Sequence, residues 1–105
     1  MSLDASTDAL LKGIAAQNGP ALHEMPVDKC REVFGQLVQN LQGDVVEIHS
    51  VENREIAGPG GPLKLRIFNP SDAGGSKLPV LVLFHGGGWV IGDLDTHDNM
   101  CRYFA

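Results

Sequence analysis

The densest chemistry in this chain of 105 residues belongs to backbone rather than to side chains. His85-Gly86-Gly87-Gly88-Trp89 follows the apolar run Val80-Leu81-Val82-Leu83-Phe84 without a break. Consecutive glycines reach backbone angles closed to other residues and leave their N–H groups uncovered. Such donors, gathered at the end of a strand, suit a negative charge. Three anions can be weighed for the site. A dinucleotide fingerprint needs Gly-x-Gly-x-x-Gly; Gly86 and Gly88 supply two members, but Ile91 stands at the third. A phosphate-binding loop needs lysine after its last glycine; Gly87 and Gly92 have the spacing, but Asp93 stands in that place and repels phosphate. The oxyanion of a tetrahedral acyl-transfer intermediate meets no mismatch. Fixed N–H donors stabilise that charge by roughly 2.7–4 kcal/mol each, and His-Gly-Gly-Gly is one form such a loop takes.

The elements that must position this loop show in the periodicity. Leu3, Thr7, Leu10 and Ile14 recur at helical spacing, which predicts a helix over residues 4–17 with Asp4 or Ser6 as its cap. Asn18-Gly19-Pro20 stops it, with Gly19 taking the left-handed angle. Val27, Cys30, Phe34, Leu37 and Leu41 form the apolar face of a second helix over 26–41, begun by Pro26. Gly35 inside that helix costs about 1 kcal/mol against alanine and suggests close packing there. From Val45 the period changes to two. Strands over 45–56 and 63–68, joined by the Gly- and Pro-rich stretch 57–62, read as an antiparallel hairpin with one face on a core. A loop over 69–77 follows. Val80 to Phe84 then reads as a strand buried on both faces, as parallel sheets require. Thr96 is expected to cap a closing helix over 96–105, with Asp98 in its first turn.

Composition narrows the partners. The chain is 43% apolar and 20% charged, with net charge −5 and no basic cluster. An acidic balance of this kind argues against nucleic acid and against anionic membrane surfaces. The longest aliphatic and aromatic run, Val80 to Phe84, is far short of the ~20 residues a membrane helix needs. Cys30 and Cys101 lack metal-ligand spacing and read as two free thiols of a reducing compartment in preference to a disulfide. Met1-Ser2-Leu3-Asp4 lacks the basic start of a secretory signal, so a cytoplasmic location is expected.

With these residues in view, His85-Gly86-Gly87-Gly88-Trp89, followed by Gly92-Asp93-Leu94-x-Thr96-His97-Asp98 and Cys101-Arg102, resembles the hormone-sensitive-lipase-like branch of α/β-hydrolases, above all bacterial carboxylesterases. The resemblance implies an α/β fold class, of which this chain is the N-terminal segment. Residues 1–43 would be two cap helices. Residues 44–105 would hold the hairpin, the buried glycine-loop strand and the start of the following helix, leaving the sheet incomplete. It further implies that the N–H groups of Gly87 and Gly88 form the oxyanion hole. Gly86 would make the turn, His85 would order the loop by hydrogen bonding, and Trp89 would line the cleft or touch core or cap. His97 and Asp98 would tie the loop down, and Cys101 would act as a small buried hydrophobe.

The remaining chemistry is absent from the sequence. No Gly-x-Ser-x-Gly nucleophile elbow occurs; the nearest serine context, Gly74-Gly75-Ser76-Lys77-Leu78, lacks the closing glycine. The resemblance places nucleophile, acid and base downstream, so the isolated chain is expected to be inactive. It implies a small-molecule ester of short to medium acyl length as substrate, with no cofactor and no metal. The expected partner is the remainder of a hydrolase chain. The alternative is a non-catalytic fragment or ligand-binding relative, either receptor-like or self-associating through the unpaired strand.

Overall fold

The computed structural model describes residues 3–72 and 74–105. Met1 and Ser2 of the expected 1–43 unit, and Ala73 of the expected 69–77 loop, lie outside the described residues. The first helix, α1, is Ala5–Ala16. Its cap is Asp4, whose side chain accepts the N–H groups of Ser6 and Thr7 at 3.0 Å each. The hydroxyls of Ser6 and Thr7 also donate to this carboxylate and, as the largest influence, hold it far below its ordinary titration range. The helix stops one residue short of the predicted boundary. Asn18, rather than Gly19, takes the left-handed angle, at φ 47°; asparagine is one of the few other residues that does so readily.

A short 3₁₀ turn, Leu22–Glu24, follows and was not legible in the periodicity. The second helix, α2, is Val27–Leu41, with Pro26 as its N-cap residue. Cys30 on its apolar face is the one buried apolar residue among those described. The expected close packing at Gly35 is not there, since a methyl group added at that position would meet nothing within 4 Å.

Strands β1 (Ser50–Gly58) and β2 (Gly61–Asn69) pair antiparallel, from Ser50 opposite Asn69 to Gly58 opposite Gly61. The turn narrows to Pro59-Gly60, inside the predicted 57–62. Gly61 adopts φ 127°, and a side chain on Gly58 would meet the Gly61 carbonyl at 2.8 Å, so both positions call for glycine. The first strand begins at Ser50 rather than at Val45. The reason lies across the molecule: the Val46 N–H donates to Asn99 Oδ1 at 2.8 Å, and its carbonyl accepts from Arg102 at 3.3 Å. Backbone groups engaged in this way cannot also serve a ladder.

Burial in the hairpin follows position along the strands rather than a strict alternation. Leu63 near the turn is 55% exposed, whereas Arg66, Ile67 and Phe68 are all half-buried. The expected single core face is therefore replaced by cover at the Ser50–Asn69 end. The last helix, α3, is Asp98–Phe104, shorter than predicted, with His97 at its N-cap and no side-chain cap. Thr96 turns back to Asp93 instead.

Val80 to Phe84 departs furthest from expectation. It forms no ladder, and Val80 and Phe84 are 86% and 91% exposed. The two-stranded sheet β1-β2 is the sheet present among the described residues. A strand buried on both faces needs paired neighbours and covering helices; without them the run stays open to solvent. Among the described residues no helix is long and apolar enough to cross a membrane.

Candidate functional site

The glycine loop is a backbone structure closed on itself. The Gly87 carbonyl accepts the N–H groups of Val90 and Ile91, each at 3.0 Å. Gly87, Gly88 and Gly92 adopt φ of 141°, 59° and 93°, and Trp89 follows at 59°. The turn-making angles therefore fall after Gly86, and the proposed role of Gly86 as the turning residue is corrected accordingly. Gly86 contributes its carbonyl, 2.9 Å from Nδ1 of His85. A carbonyl can only accept, so the ring proton sits on that nitrogen.

Space as well as angle selects glycine at two positions. A Cβ on Gly87 would lie 1.7 Å from the Ile91 carbonyl oxygen. On Gly92 it would lie 2.6 Å from the Gly86 carbonyl oxygen and 2.8 Å from His85 Nδ1. Gly88 faces open space. Neither the Gly87 nor the Gly88 N–H donates to another backbone carbonyl among the described residues.

The far limb of the loop is fixed by a second closed turn. Asp93 Oδ1 accepts the N–H groups of Thr96 at 2.7 Å and Asp95 at 3.1 Å, while the Asp93 N–H donates to the Thr96 hydroxyl at 2.8 Å. The bond from the Thr96 N–H is the main reason the Asp93 carboxyl titrates low; partial burial opposes it, and the charge of nearby His85 adds to it. The His97 ring lies 5.2 Å from that of His85, and its Nδ1 is 3.1 Å from the Thr96 hydroxyl.

Asp98 works through the hairpin. It accepts from Arg66 at 2.7 Å and from Arg102, and Arg66 also reaches Asp95, the Leu94 carbonyl and Asn53. Burial alone would raise the Asp98 carboxyl, but the two arginines outweigh it and hold the pKa below the ordinary value. Cys101 nearby is half-buried rather than fully buried; burial first, and the Asp98 charge second, push its thiol up. Both cysteines are free.

The loop rims a cleft of ≈ 610 Å³ whose opposite wall comes from α2, through Arg31 and Phe34. Trp89 is on the cleft side and fully exposed, so a core contact is ruled out for it. Arg31 was not singled out in the sequence. Its Nε donates to the Val90 carbonyl at 2.7 Å, across 59 residues of chain. Its spacing of three from Phe34, which places the two on one side of α2, was the available signal. Among the described residues, no three His, Cys, Asp or Glu side chains gather as a metal site.

The wider likenesses agree with this geometry. Residues 81–105 match the family described as alpha/beta hydrolase fold. A hyperthermophilic esterase from the archaeon Pyrobaculum calidifontis superposes with a TM-score of 0.81 at 36% identity, over 97% of this chain and 32% of its own. Carboxylic ester hydrolase LipN of Mycobacterium tuberculosis is 51% identical over 57 residues, which is 53% of this chain and 15% of that protein. Versiconal hemiacetal acetate esterase of Aspergillus parasiticus is 35% identical over 89 residues, 82% of this chain and 27% of that protein. The chain thus spans about a third or less of the length of these proteins.

The chain belongs to the α/β-hydrolase fold family. Within that family its relatives are the carboxylesterases of the hormone-sensitive-lipase-like branch.

Proposed function

We propose that the chain supplies the cap helices and the oxyanion loop of a carboxylesterase acting on short-to-medium acyl esters. The single observation that carries this reading is the loop itself. Gly87 and Gly88 sit at positive φ beside an open cleft, and their N–H groups are left without backbone acceptors among the described residues. When a serine hydroxyl adds to the ester carbonyl, the carbonyl oxygen gains a full negative charge. Two fixed N–H donors bind that charge better than they bind the neutral ester, which lowers the barrier. Collapse of the intermediate expels the alcohol and leaves an acyl-enzyme for water to cleave. His85 supports the loop through Gly86, and Trp89 lines the substrate's approach.

Nucleophile, acid and base lie in sequence following this chain in this reading. The absence of any Gly-x-Ser-x-Gly here, and the fraction of each relative that the chain spans, support it. Residues 1–43 then belong to the cap and 44–105 to the hydrolase domain. The two unbridged cysteines favour the cytoplasm. The reading is tested by joining the chain to the reading frame that follows it and measuring hydrolysis of p-nitrophenyl butyrate. Hydrolysis is expected, with none from the 105-residue chain alone. Full activity in Gly88→Pro, which lacks one donor, overturns it.

A second reading draws on the exposed run Val80 to Phe84. Unpaired strand edges invite pairing with another chain, so the isolated chain is expected to self-associate through this segment.

A further inference from the structure

We propose that Arg31 is a positioning residue of the glycine loop, the tie by which helix α2 sets where the Gly87 and Gly88 N–H groups point. This inference rests on the oxyanion reading of the loop.

Three observations meet at Val90. Its N–H is bound by the Gly87 carbonyl at 3.0 Å, and so is the N–H of the next residue, Ile91. Its carbonyl is bound from outside the loop by Arg31 Nε at 2.7 Å. Its neighbour Trp89 is held at φ 59°, an angle that costs a non-glycine residue energy and persists only where the surroundings enforce it. The internal bonds close the turn, but they leave its orientation relative to the cleft open. Among the described residues, the bond from Arg31 is the hydrogen bond that ties residue 90 to a different element, on the far wall of the cleft.

A charged donor suits this task, because hydrogen bonds from ionised groups are shorter and stronger than neutral ones. Arg31 has little else to hold it: Asp28 lies 4.0 Å away and is fully exposed. Motion of α2 therefore reaches the loop through this hydrogen bond. A substrate that displaces α2 alters the oxyanion donors without touching them.

Two variants separate the donor from the rest of the side chain. Arg31→Gln keeps an N–H donor at the same distance along the side chain as Nε. Arg31→Met keeps length and apolar contact but donates nothing. In the 105-residue chain, amide hydrogen exchange at Val90 and Ile91 is read by NMR. Exchange about tenfold faster in Arg31→Met, and near the unsubstituted rate in Arg31→Gln, is expected from loss of one charge-assisted bond. Equal rates in all three proteins overturn the proposal, as does equal loosening in both variants.

The second arm uses the chain joined to its catalytic segment. Arg31→Met is expected to lower kcat about tenfold with KM nearly unchanged, since the loop acts on the transition state rather than on the bound ester. A rise in KM with kcat unchanged overturns the positioning role. Absence of hydrolysis in the unsubstituted protein overturns the oxyanion reading instead, while the exchange arm still decides whether Arg31 holds the loop.

Discussion

Arg66 and Asp98, 32 residues apart in sequence, meet as an ion pair at 2.7 Å with side chains only 14% and 20% exposed. Arg102 takes the other oxygen of the same carboxylate. This triad joins the hairpin to α3 and thereby backs the segment that carries the glycine loop. Its removal should be felt in stability before it is felt in chemistry. Asp98→Ala leaves two arginines short of a partner in partly buried positions, at an expected cost of about 1–3 kcal/mol. Urea unfolding at pH 7 measures it.

The same carboxylate fixes a pH dependence. Its folded-state pKa is depressed by Arg102 and Arg66 against the raising effect of burial. Its stabilisation is therefore fully present above the unfolded value near 3.8 and lost as pH falls through the folded one. Asp98→Asn should flatten the acid limb of the stability curve below pH ~4 while lowering stability at pH 7. An unchanged acid limb would show that the loss comes from other carboxylates.

Gly87 and Gly88 should respond differently to a methyl group. At Gly87 the added Cβ meets the Ile91 carbonyl oxygen at 1.7 Å, so the turn must open. At Gly88 it meets open space, and only the backbone angle resists. In the catalytically complete protein, Gly87→Ala is expected to lower kcat by about 10²–10³, the range for a lost oxyanion donor. Gly88→Ala costs about 1 kcal/mol of local strain and should retain far more activity. Esterase kinetics on matched, folded variants check the order.

The two thiols should differ in reactivity. Cys30 is 4% exposed, and Cys101 is half-buried with its thiol pushed up. Burial shields Cys30 from reagent, and Cys101 forms the reactive thiolate less readily, so both should label more slowly than a small free thiol at pH 8. Cys30 should be the slower of the two. Iodoacetamide labelling followed by mass spectrometry of the two peptides gives the rates, and unfolding in urea should equalise them.

Self-association is expected to depend on the exposed run. Val82→Lys places a charge in the middle of Val80 to Phe84, the device natural edge strands use against pairing. The substituted chain should sediment as a monomer where the original forms larger species. A monomeric original chain would remove the basis for strand pairing.

Local signals carried much of the fold. The spacing of Leu3, Thr7, Leu10 and Ile14 announced the first helix, and the Val27-to-Leu41 stripe placed the second within one residue. The alternation around Leu63, Leu65 and Ile67 located β2. What escaped was set by distant partners. Val45 to His49 alternates like a strand, yet Val46 is bound by Asn99 and Arg102 from α3. Thr96 looked like a helix cap but is engaged by Asp93, which closes a turn ahead of the helix. Val80 to Phe84 has the composition of a buried strand, and burial is a property of neighbours rather than of composition. At the loop, Gly87, Gly88 and Gly92 were legible because each demands an unusual angle or an unfilled space, whereas Gly86 shows neither demand. Arg31 was not, because its acceptor is a main-chain carbonyl that carries no residue-specific mark.

Trp89 is the only tryptophan of the chain, fully exposed on the rim of the cleft and one residue from the Arg31 tie. The loop therefore carries its own optical label. An occupant of the cleft must exchange the water around that indole for itself, which shifts the emission to the blue. Titration by fluorescence can then follow occupancy in the 105-residue chain, where no turnover consumes the ligand.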